Sequence, residues 1–480
     1  MTGREDGRDV PGVPAPSSDL HERGRARARR VWLAIATSVL ARALTLVVPL
    51  VCLPLFVRYL GPEGYGLYEA IGALAVWLTL ANAGLYLGLQ NRLQECLVAG
   101  DAALARRYVS SATFLVGLIA LAAAVLVTVV ALAVDWQRIF PTRSPELAAQ
   151  LALAFWVCAV STLAGLALGV PAVVYAAGQE LHVANAWEMA ARAVTIAASI
   201  GVVFTQFGLV GVVVATATLP LVVRLLNFVS MFWREKPELR PSLGQFDRRL
   251  LARTVADGAY AFVLQAAVVM IYQVDKLVIG IGLSPEALAP FAVVGRLFLI
   301  AYGAYLVVLF ALWPAYGDAL RRGDVAWVRR GVRLTVGLGC GGVAAFGVAV
   351  LALRPWLLTA WGGVPADSVS AGTVLALTAT FVCRAWVDAR TIALNSIGAF
   401  RPQVGLFAAH AVLNLALALA LVGPFGVAGV AWATPASAVL TSVWGYPRLM
   451  RRHVYDRPAP AAAGGPPGDV VKPIVPIEPK

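Results

Sequence analysis

Long apolar runs of about 20 or more residues recur along the whole of this 480-residue chain. A helix needs about 20 apolar residues to cross the hydrocarbon core of a bilayer, and continuous runs indicate helices rather than barrel strands. Hydrophobic residues make up 60% of the chain and charged residues 14%, against about 45–50% and about 25% in soluble domains. We therefore predict an all-α polytopic membrane protein with twelve spans, at about 31–57, 65–90, 109–134, 148–176, 184–205, 208–232, 254–280, 286–314, 332–353, 367–394, 402–422 and 426–447.

The loops between these runs predict the orientation, because short cytoplasmic loops are enriched in Lys and Arg. With the N-terminus inside, the cytoplasmic side receives twenty-eight of these residues and the outer side four. We therefore expect both termini in the cytoplasm. The net charge of +13 is explained by this orientation, since aromatic residues do not alternate with the basic ones, and we predict no nucleic-acid partner.

The reactive residue types are too few and too scattered for an enzyme. The five cysteines and four histidines form no Cys/His cluster, and no histidine adjoins a nucleophile. We predict no disulfide framework, no metal site, no cofactor and no catalytic residue. A glycan polymerase or ligase would also need a sizeable outer loop to carry its catalytic side chains. The outer loops here are short, and the longest is about 135–147.

A repeated motif shows that the chain consists of two related halves. "GDAALARR" begins at Gly100 and "GDVAWVRR" at Gly323, each in a predicted cytoplasmic loop. "FGLVGVVVAT" at Phe207 likewise matches "FGVAGVAWAT" at Phe425. We expect the Asp of the motif to accept hydrogen bonds from the start of the following helix. The Arg pair is expected to anchor the end of that helix at anionic lipid headgroups. The alternative is that the two loops act as a cytoplasmic latch that closes the cavity. Parallel repeats predict two pseudo-symmetric six-helix lobes around a central cavity.

The predicted organisation has five parts. Apolar residues Leu239, Leu243, Phe246 and Leu250 recur at helical spacing in the connecting segment, which predicts an amphipathic helix on the cytoplasmic face, with a plain linker as the alternative. The parts are a disordered basic cytoplasmic tail (1–30), an N-lobe (31–232), the amphipathic linker (233–253), a C-lobe (254–447) and a disordered cytoplasmic tail (448–480).

Several segments resemble one transporter family. They are "RYLGPEGYGLYEAIGAL", "AGDAALARRYVSSA" and "VYAAGQELHVANAWE" in the first half, and "YQVDKLVIGIGLSPEALAPFAVVGRLF" and "NSIGAFRPQVGLF" in the second. Over about residues 31–450 the chain resembles the polysaccharide transporter family of the multidrug/oligosaccharidyl-lipid/polysaccharide flippase superfamily. The resemblance implies a flippase for polyprenyl-diphosphate-linked oligosaccharide in a bacterial plasma (inner) membrane. It also implies that spans one, two, seven and eight line the cavity. We expect a monomer in contact with membrane lipids, with glycan polymerase and glycosyltransferases as partners.

Charged residues in the middle of the spans are the candidates for substrate binding. Arg42 lies about 16 Å into the first span, with Thr45 on the same helix face, and Arg296 lies near the midplane of span eight. Arg binds phosphate bidentately and stays charged, so both are predicted to bind the diphosphate. The alternative is that each pairs with a buried acid or with backbone carbonyls inside its own lobe.

Polar residues on spans two and seven complete the predicted site. Asn82, Gln265 and Tyr272 suit sugar hydroxyls and rings, although small polar residues also join membrane helices. Glu69 and Asp275 are the possible coupling carboxylates, with charge compensation between Asp275 and its neighbour Lys276 as the alternative. The other buried charges are interpreted as structural, with Glu188–Arg192 and Arg384–Asp388 as pairs four residues apart and with Arg224 and Arg390 reaching the membrane surface.

Two other transporter classes stay open as alternatives. A facilitator of the major superfamily also repeats a basic loop, but its Gly-x-x-x-Asp-Arg-x-Gly-Arg-Arg pattern is absent from this sequence. A drug/cation antiporter of the flippase superfamily would share the fold, but it would want an acid-rich cavity where this chain places Arg.

Overall fold

The computed structural model describes the backbone of residues 17–456 and, within that range, the side chains of all residues except 17–36, 38, 39, 42, 43, 46, 82, 83, 256, 257 and 261. The described residues form helices and no strand. The helices are α1 (Ser17–Leu78), α2 (Ala83–Ala99), α3 (Ala102–Ala133), α4 (Trp136–Ile139), α5 (Pro145–Ala167), α6 (Val170–Ala177), α7 (Leu181–Val202), α8 (Gly208–Val213), α9 (Pro220–Ser230), α10 (Arg248–Gly282), α11 (Pro285–Arg321), α12 (Val325–Trp356), α13 (Ala371–Asn395), α14 (Arg401–Leu440) and α15 (Ser442–Met450).

Eight helical segments of the described chain are long and apolar enough to cross a membrane. They are Val47–Ala81, Ala102–Ala133, Pro145–Ala177, Gly208–Glu235, Gly258–Gly282, Pro285–Arg321, Val325–Trp361 and Arg401–Tyr455. The all-helical fold with several membrane helices is thus confirmed, whereas the count of twelve spans stays a prediction. Helices α7 and α13, which carry charged side chains in their middle, are outside this set of eight.

The outer face of α3 shows which solvent surrounds the helices. Leu118, Leu121, Leu126 and Leu132 on this helix are 64–83% exposed, while its buried positions are mostly Ala, Val and Ser. A soluble protein would bury the leucines and expose the smaller polar residues. This inverted pattern is the one expected for a helix that packs through small residues and faces lipid.

Glycines with positive φ turn the chain at matched positions of the two halves. Gly208 and Gly426, which the sequence repeat aligns, have φ of 58° and 57°. Gly61, with φ of 71°, interrupts α1 between its two limbs in the same way that Gly426 interrupts α14. These backbone conformations strain residues with a Cβ, so glycine is required where one apolar segment turns into the next.

The repeated Gly-Asp motif forms the same helix start twice. Gly100 and Gly323 adopt φ of 73° and 80°, and the carboxylates of Asp101 and Asp324 each accept a hydrogen bond from the backbone N–H three residues later, at 2.8 and 3.0 Å. Each Asp is therefore the N-cap of the following helix. This confirms the role predicted for the Asp of the motif.

The connecting segment does not form the amphipathic helix predicted for residues 233–253. A π-helical turn ends at Glu235, two short 3₁₀ turns follow, and α10 begins only at Arg248. Pro237, Pro241 and Gly244 explain the difference, since proline removes a helical hydrogen bond and glycine disfavours helix. Of the apolar residues that suggested a helix, Leu239 is buried and Leu243 is exposed.

The Arg pair of the first motif holds this linker. The Arg106 Nε donates to the backbone carbonyl of Arg240 at 3.0 Å, and the Arg107 guanidinium pairs with Asp247 at 2.5 Å. The backbone N–H of Arg249 and the Arg107 guanidinium together hold the pKa of Asp247 below its usual range. The pair is therefore bound to protein in the first half, where anchoring at lipid headgroups was predicted.

The described parts of the two predicted disordered tails are largely helical. Helix α1 begins at Ser17, so residues 17–30 continue the first apolar segment as helix, as their Ala, Arg and Glu content favours. At the other end, a π-helical turn extends to Tyr455. Residues 1–16 and 457–480, the rest of the segments predicted to be disordered, lie outside the described residues.

Close backbone contacts join the two halves of the chain at two levels. A Cβ built on Gly66 of α1 would lie 1.7 Å from the carbonyl oxygen of Pro285 in α11. A Cβ on Gly258 of α10 would lie 1.8 Å from the carbonyl oxygen of Gly84 in α2. The first contact lies at the predicted outer end of the helices, and the second in the half predicted to be nearer the cytoplasm.

Candidate substrate cavity

A cavity of about 390 Å³ lies where α1, α7 and α9 face α11. Both halves of the chain therefore contribute to its wall. Its lining residues are Thr45, Val48, Pro49, Cys52, Leu53, Phe56, Tyr65, Tyr68, Glu69, Glu188, Ala191, Arg192, Thr195, Thr216, Pro220, Arg224, Arg296, Leu299 and Ile300.

Glu69 connects the two halves at one end of this cavity. One carboxylate oxygen accepts from Arg296 of α11 at 2.6 Å and from the Tyr65 hydroxyl at 2.7 Å. The other accepts from Lys276 of α10 at 2.6 Å. The Glu69 side chain is only 3% exposed, whereas those of Lys276 and Arg296 are 22% and 28% exposed. Two cations of the second half thus share one buried carboxylate of the first half.

A second charged group lies within the first half. Glu188 and Arg192 of α7 form a salt bridge at 2.8 Å, and Arg224 of α9 lies 4.0 Å from the other carboxylate oxygen of Glu188. These side chains are 29–44% exposed, so water or a ligand reaches them. The lining therefore contains two carboxylates against three guanidinium groups, and Lys276 adds a further positive charge at the Glu69 end.

The structure brings only some of the predicted site residues to this cavity. Arg296, Thr45 and Glu69 line it. The alternative interpretation of Arg296 is right in that it pairs with a buried acid, but the acid belongs to the other half and the pair faces the cavity. The side chains of Arg42 and Asn82 lie outside the described residues.

Tyr272 and Gln265 lie elsewhere. Tyr272 lines a smaller cavity of about 160 Å³ within the second half, where Arg384 stacks on its ring at 4.2 Å. Arg384 also pairs with Asp388 at 3.5 Å, as predicted from their spacing. Gln265 is exposed and is not among the residues that line the main cavity.

Asp275 has its own buried environment, apart from Lys276. One of its oxygens accepts from the Thr434 hydroxyl at 2.7 Å, and the other from the Asn414 amide at 3.4 Å. The side-chain carbonyl oxygen of Asn414, Oδ1, is buried without a hydrogen-bond partner among the described residues. The predicted compensation between neighbours Asp275 and Lys276 is wrong, because consecutive helical residues do not face each other.

Sequence reasoning missed two cations that line the main cavity and a third that binds its carboxylate Glu69. Lys276 was assigned to Asp275, while Arg192 and Arg224 were assigned structural or surface roles. The available signal was their position, because each is a cation within a predicted apolar span, where charge is expensive. The sequence does not show which helices pack against each other. The contacts of Lys276 with Glu69 and of Arg224 with Glu188 were therefore not identified.

Comparison with known proteins agrees with this architecture. A family model described as "Polysaccharide biosynthesis protein" matches residues 31–319. A Salmonella typhi protein named "Putative O-antigen transporter" is 21% identical over 436 residues, which are 88% of this chain and 96% of that protein.

Two solved structures of low sequence identity share the fold. The inward-facing conformation of a multidrug resistance MATE family transporter of the MOP superfamily has a TM-score of 0.72 at 15% identity, covering 84% of this chain and 95% of that one. An outward-facing conformation of such a transporter has a TM-score of 0.57 at 15% identity, covering 86% and 96%. Because the family model spans more than half of the sequence, the chain belongs to the polysaccharide biosynthesis protein family, and it shares the fold of these MOP-superfamily transporters.

Proposed function

We propose that this chain is a flippase that moves a polyprenyl-diphosphate-linked oligosaccharide from the inner to the outer leaflet of a bacterial plasma membrane, for capsule, O-antigen or exopolysaccharide synthesis. The observation that carries the proposal is the excess of positive charge in the main cavity, from Arg192, Arg224 and Arg296. Charge inside a membrane is expensive, so an excess of guanidinium groups indicates an anionic ligand. Family membership and the similarity to the Salmonella typhi protein named "Putative O-antigen transporter" support the same substrate class.

The arginines suit the diphosphate in chemistry and in access. A guanidinium keeps its charge at all physiological pH values and presents a planar fork that matches phosphate oxygens. Arg192 and Arg224 are 29% and 44% exposed, so a ligand can reach them without unfolding either helix. We assign the diphosphate to these two residues and Arg296.

The apolar part of the substrate has a route beside the cavity. Leu50 of α1 is 44% exposed, and Leu299, which lines the cavity from α11, is 41% exposed. Exposed leucines next to a charged cavity match a substrate with an anionic head and a hydrocarbon chain. The polyprenyl tail would then stay in lipid beside α1 and α11 while the headgroup occupies the cavity.

Transport would proceed by alternating access of two six-helix lobes, with both termini in the cytoplasm. The repeat of the Gly-Asp caps in both halves supports two related lobes. The higher TM-score to the inward-facing transporter, together with the close approach of Gly66 and Pro285, supports a state closed at the outer end. The substrate biases such motion only through different affinities for the two states.

Of the two predicted coupling carboxylates, Asp275 is the better supported. Glu69 is already bound by two cations, whereas the described residues that bond to Asp275, Asn414 and Thr434, are neutral. The carboxylate, the Thr434 hydroxyl and the unpartnered Asn414 carbonyl supply oxygen atoms, which suit a proton or a hard cation such as Na⁺. We therefore assign ion coupling to Asp275.

Asp275→Asn is expected to make transport independent of the ion gradient while diphosphate binding stays within about twofold of wild type, because Asp275 lies outside the main cavity. The measurement is flipping in proteoliposomes with and without imposed Na⁺ and proton gradients. A variant that keeps its full response to either gradient would contradict this assignment.

A drug/cation antiporter is the second candidate, because transporters of that type share the fold and a buried acid such as Asp275 suits cation coupling. The positive cavity argues against it, since a cationic drug would meet repulsion from Arg192, Arg224 and Arg296. The two candidates differ in the sign of the charge they carry, so transport assays distinguish them.

The test of the proposed function uses the full chain in proteoliposomes with three fluorescent probes. A short-chain polyprenyl-diphosphate sugar is compared with the corresponding neutral glycolipid and with ethidium. We expect the first to become accessible to a membrane-impermeant quencher at a rate that depends on the protein, and the other two to remain in place. Ethidium movement without glycolipid movement would establish the antiporter instead.

A further inference from the structure

The tie between Glu69, Lys276 and Arg296 is the main charged contact that crosses between the halves inside the membrane region. The buried carboxylate receives one cationic N–H on each oxygen, at 2.6 Å in both cases. The only other cross-half salt bridge among the described residues, Arg143 to Glu286 at 3.3 Å, has side chains 87% and 53% exposed, so it contributes little. Breaking a buried pair leaves uncompensated charge, so the Glu69 tie resists separation of the halves.

The same donors have the arrangement that an anionic headgroup requires. Arg296 and Lys276 come from two helices, α11 and α10, and converge on two oxygens of one anion. Their side chains are 28% and 22% exposed, while that of Glu69 is 3% exposed. Arg296 lines the cavity, so a ligand there would meet its guanidinium more readily than the buried carboxylate, and Lys276 would be the second donor once Glu69 is displaced. A diphosphate carries more charge and more acceptor oxygens than a carboxylate, which makes it the stronger competitor for these donors.

We propose that Glu69 is an internal substitute for the diphosphate of the substrate, and that the incoming diphosphate displaces it from Arg296 and Lys276. This rests on the proposed function. The exchange replaces the bonds of Glu69 with bonds to the cargo, so the cations remain compensated while the tie between the halves is broken. Released Glu69 keeps the hydroxyl of Tyr65, its donor within the same helix.

The exchange explains why the transporter would stay closed at its outer end when no substrate is bound. Without cargo, the tie holds α1 against α10 and α11, and separation at the outer end would expose three charged groups without partners. With substrate bound, the diphosphate compensates Arg296 and Lys276, so the free-energy cost of separating the halves falls by the free energy of these new bonds. A ligand shifts an equilibrium between two states in this way. Movement of the halves is thereby linked to the presence of an anionic headgroup.

The Glu188 group provides a matched control for this argument. It is also a cavity carboxylate with two guanidinium neighbours, Arg192 at 2.8 Å and Arg224 at 4.0 Å, but all three residues belong to the first half. Glu188→Gln therefore changes the charge of the cavity by the same amount as Glu69→Gln without loosening any contact between the halves.

The experiment uses the full chain in nanodiscs, with geranyl diphosphate as the probe. Its affinity is measured by calorimetry, and the separation of the halves by spin–spin distances between labels at R138C and D367C, two exposed positions on different halves. The native cysteines are replaced beforehand. In wild type the distance should increase when the probe is added. Glu69→Gln should show the longer distance without the probe and bind the probe about tenfold more tightly, since its internal competitor is gone.

The controls separate a competitor from a purely structural tie. Glu188→Gln should keep the wild-type distance in the absence of the probe. Glu69→Asp keeps the charge on a side chain one methylene shorter, and should shift both measurements in the same direction as Glu69→Gln but less, which preserves the test if Glu69→Gln folds poorly. Probe affinity that is unchanged or weaker in both Glu69 variants, with normal binding by wild type, overturns the exchange alone. Failure of wild type to bind the probe contradicts the proposed function as well.

Discussion

Replacing Arg192, Arg224 or Arg296 by Ala is expected to lower the initial rate of glycolipid flipping by about 10- to 100-fold in each case. Each substitution removes a hydrogen bond between charged groups, worth about 1.5–3 kcal/mol, in a cavity that water shares only in part. The measurement is the initial flipping rate in proteoliposomes at equal protein content. Substitution by Lys should cost less, because the charge remains and only the planar fork is lost.

The control for these variants is Arg138→Ala, which removes the same residue type from a side chain 87% exposed at the predicted outer surface. Its rate should stay within about twofold of wild type, since exposed charges contribute little. Arg296→Ala also removes one of the two bonds that tie Glu69 to the second half, so Arg192→Ala and Arg224→Ala isolate the effect on binding. Rates equal to wild type in both of these would remove the diphosphate from this cavity.

Local signals were enough to predict the helix starts and one cavity cation. The spacing of Glu188 and Arg192 predicted a salt bridge that the structure contains at 2.8 Å. Asp101 was predicted to cap the helix that follows it, and it does. Arg296 was identified because a guanidinium in the middle of an apolar run needs a partner or a use. Each of these inferences depends on residues within one helix or at its end.

Inferences about neighbouring helices failed for a physical reason. Asp275 and Lys276 adjoin in sequence, but an advance of about 100° per helical residue directs them to different neighbours. Lys276 contacts Glu69, 207 residues away, and Asp275 contacts Thr434. The sequence pattern contains the periodicity of a helix but not the identity of the helices packed against each face. The linker was also misjudged, because its apolar periodicity was given more weight than Pro237.

Gly258→Ala is expected to destabilise the protein by at least about 3 kcal/mol, the upper range for forcing extra volume into a packed interior. The new methyl carbon would lie 1.8 Å from the carbonyl oxygen of Gly84 and 2.3 Å from its carbonyl carbon. Both atoms belong to backbone, so no side chain can rotate away, and α2 and α10 must separate. The measurement is thermal unfolding in detergent, together with the flipping rate.

Gly341→Ala is the matched control, because a Cβ there meets nothing within 4 Å and α12 keeps its geometry. It should unfold at or slightly above the wild-type temperature, since Ala favours helix by about 1 kcal/mol over Gly. Gly66→Ala, whose Cβ would lie 1.7 Å from the Pro285 oxygen, should be destabilised like Gly258→Ala. If Gly258→Ala unfolds at the same temperature as Gly341→Ala, then the backbones of α2 and α10 do not pack as closely as the distance of 1.8 Å from the new Cβ to the Gly84 oxygen requires. If Gly66→Ala also unfolds at that temperature, the Glu69 tie rather than the glycine contacts joins the halves.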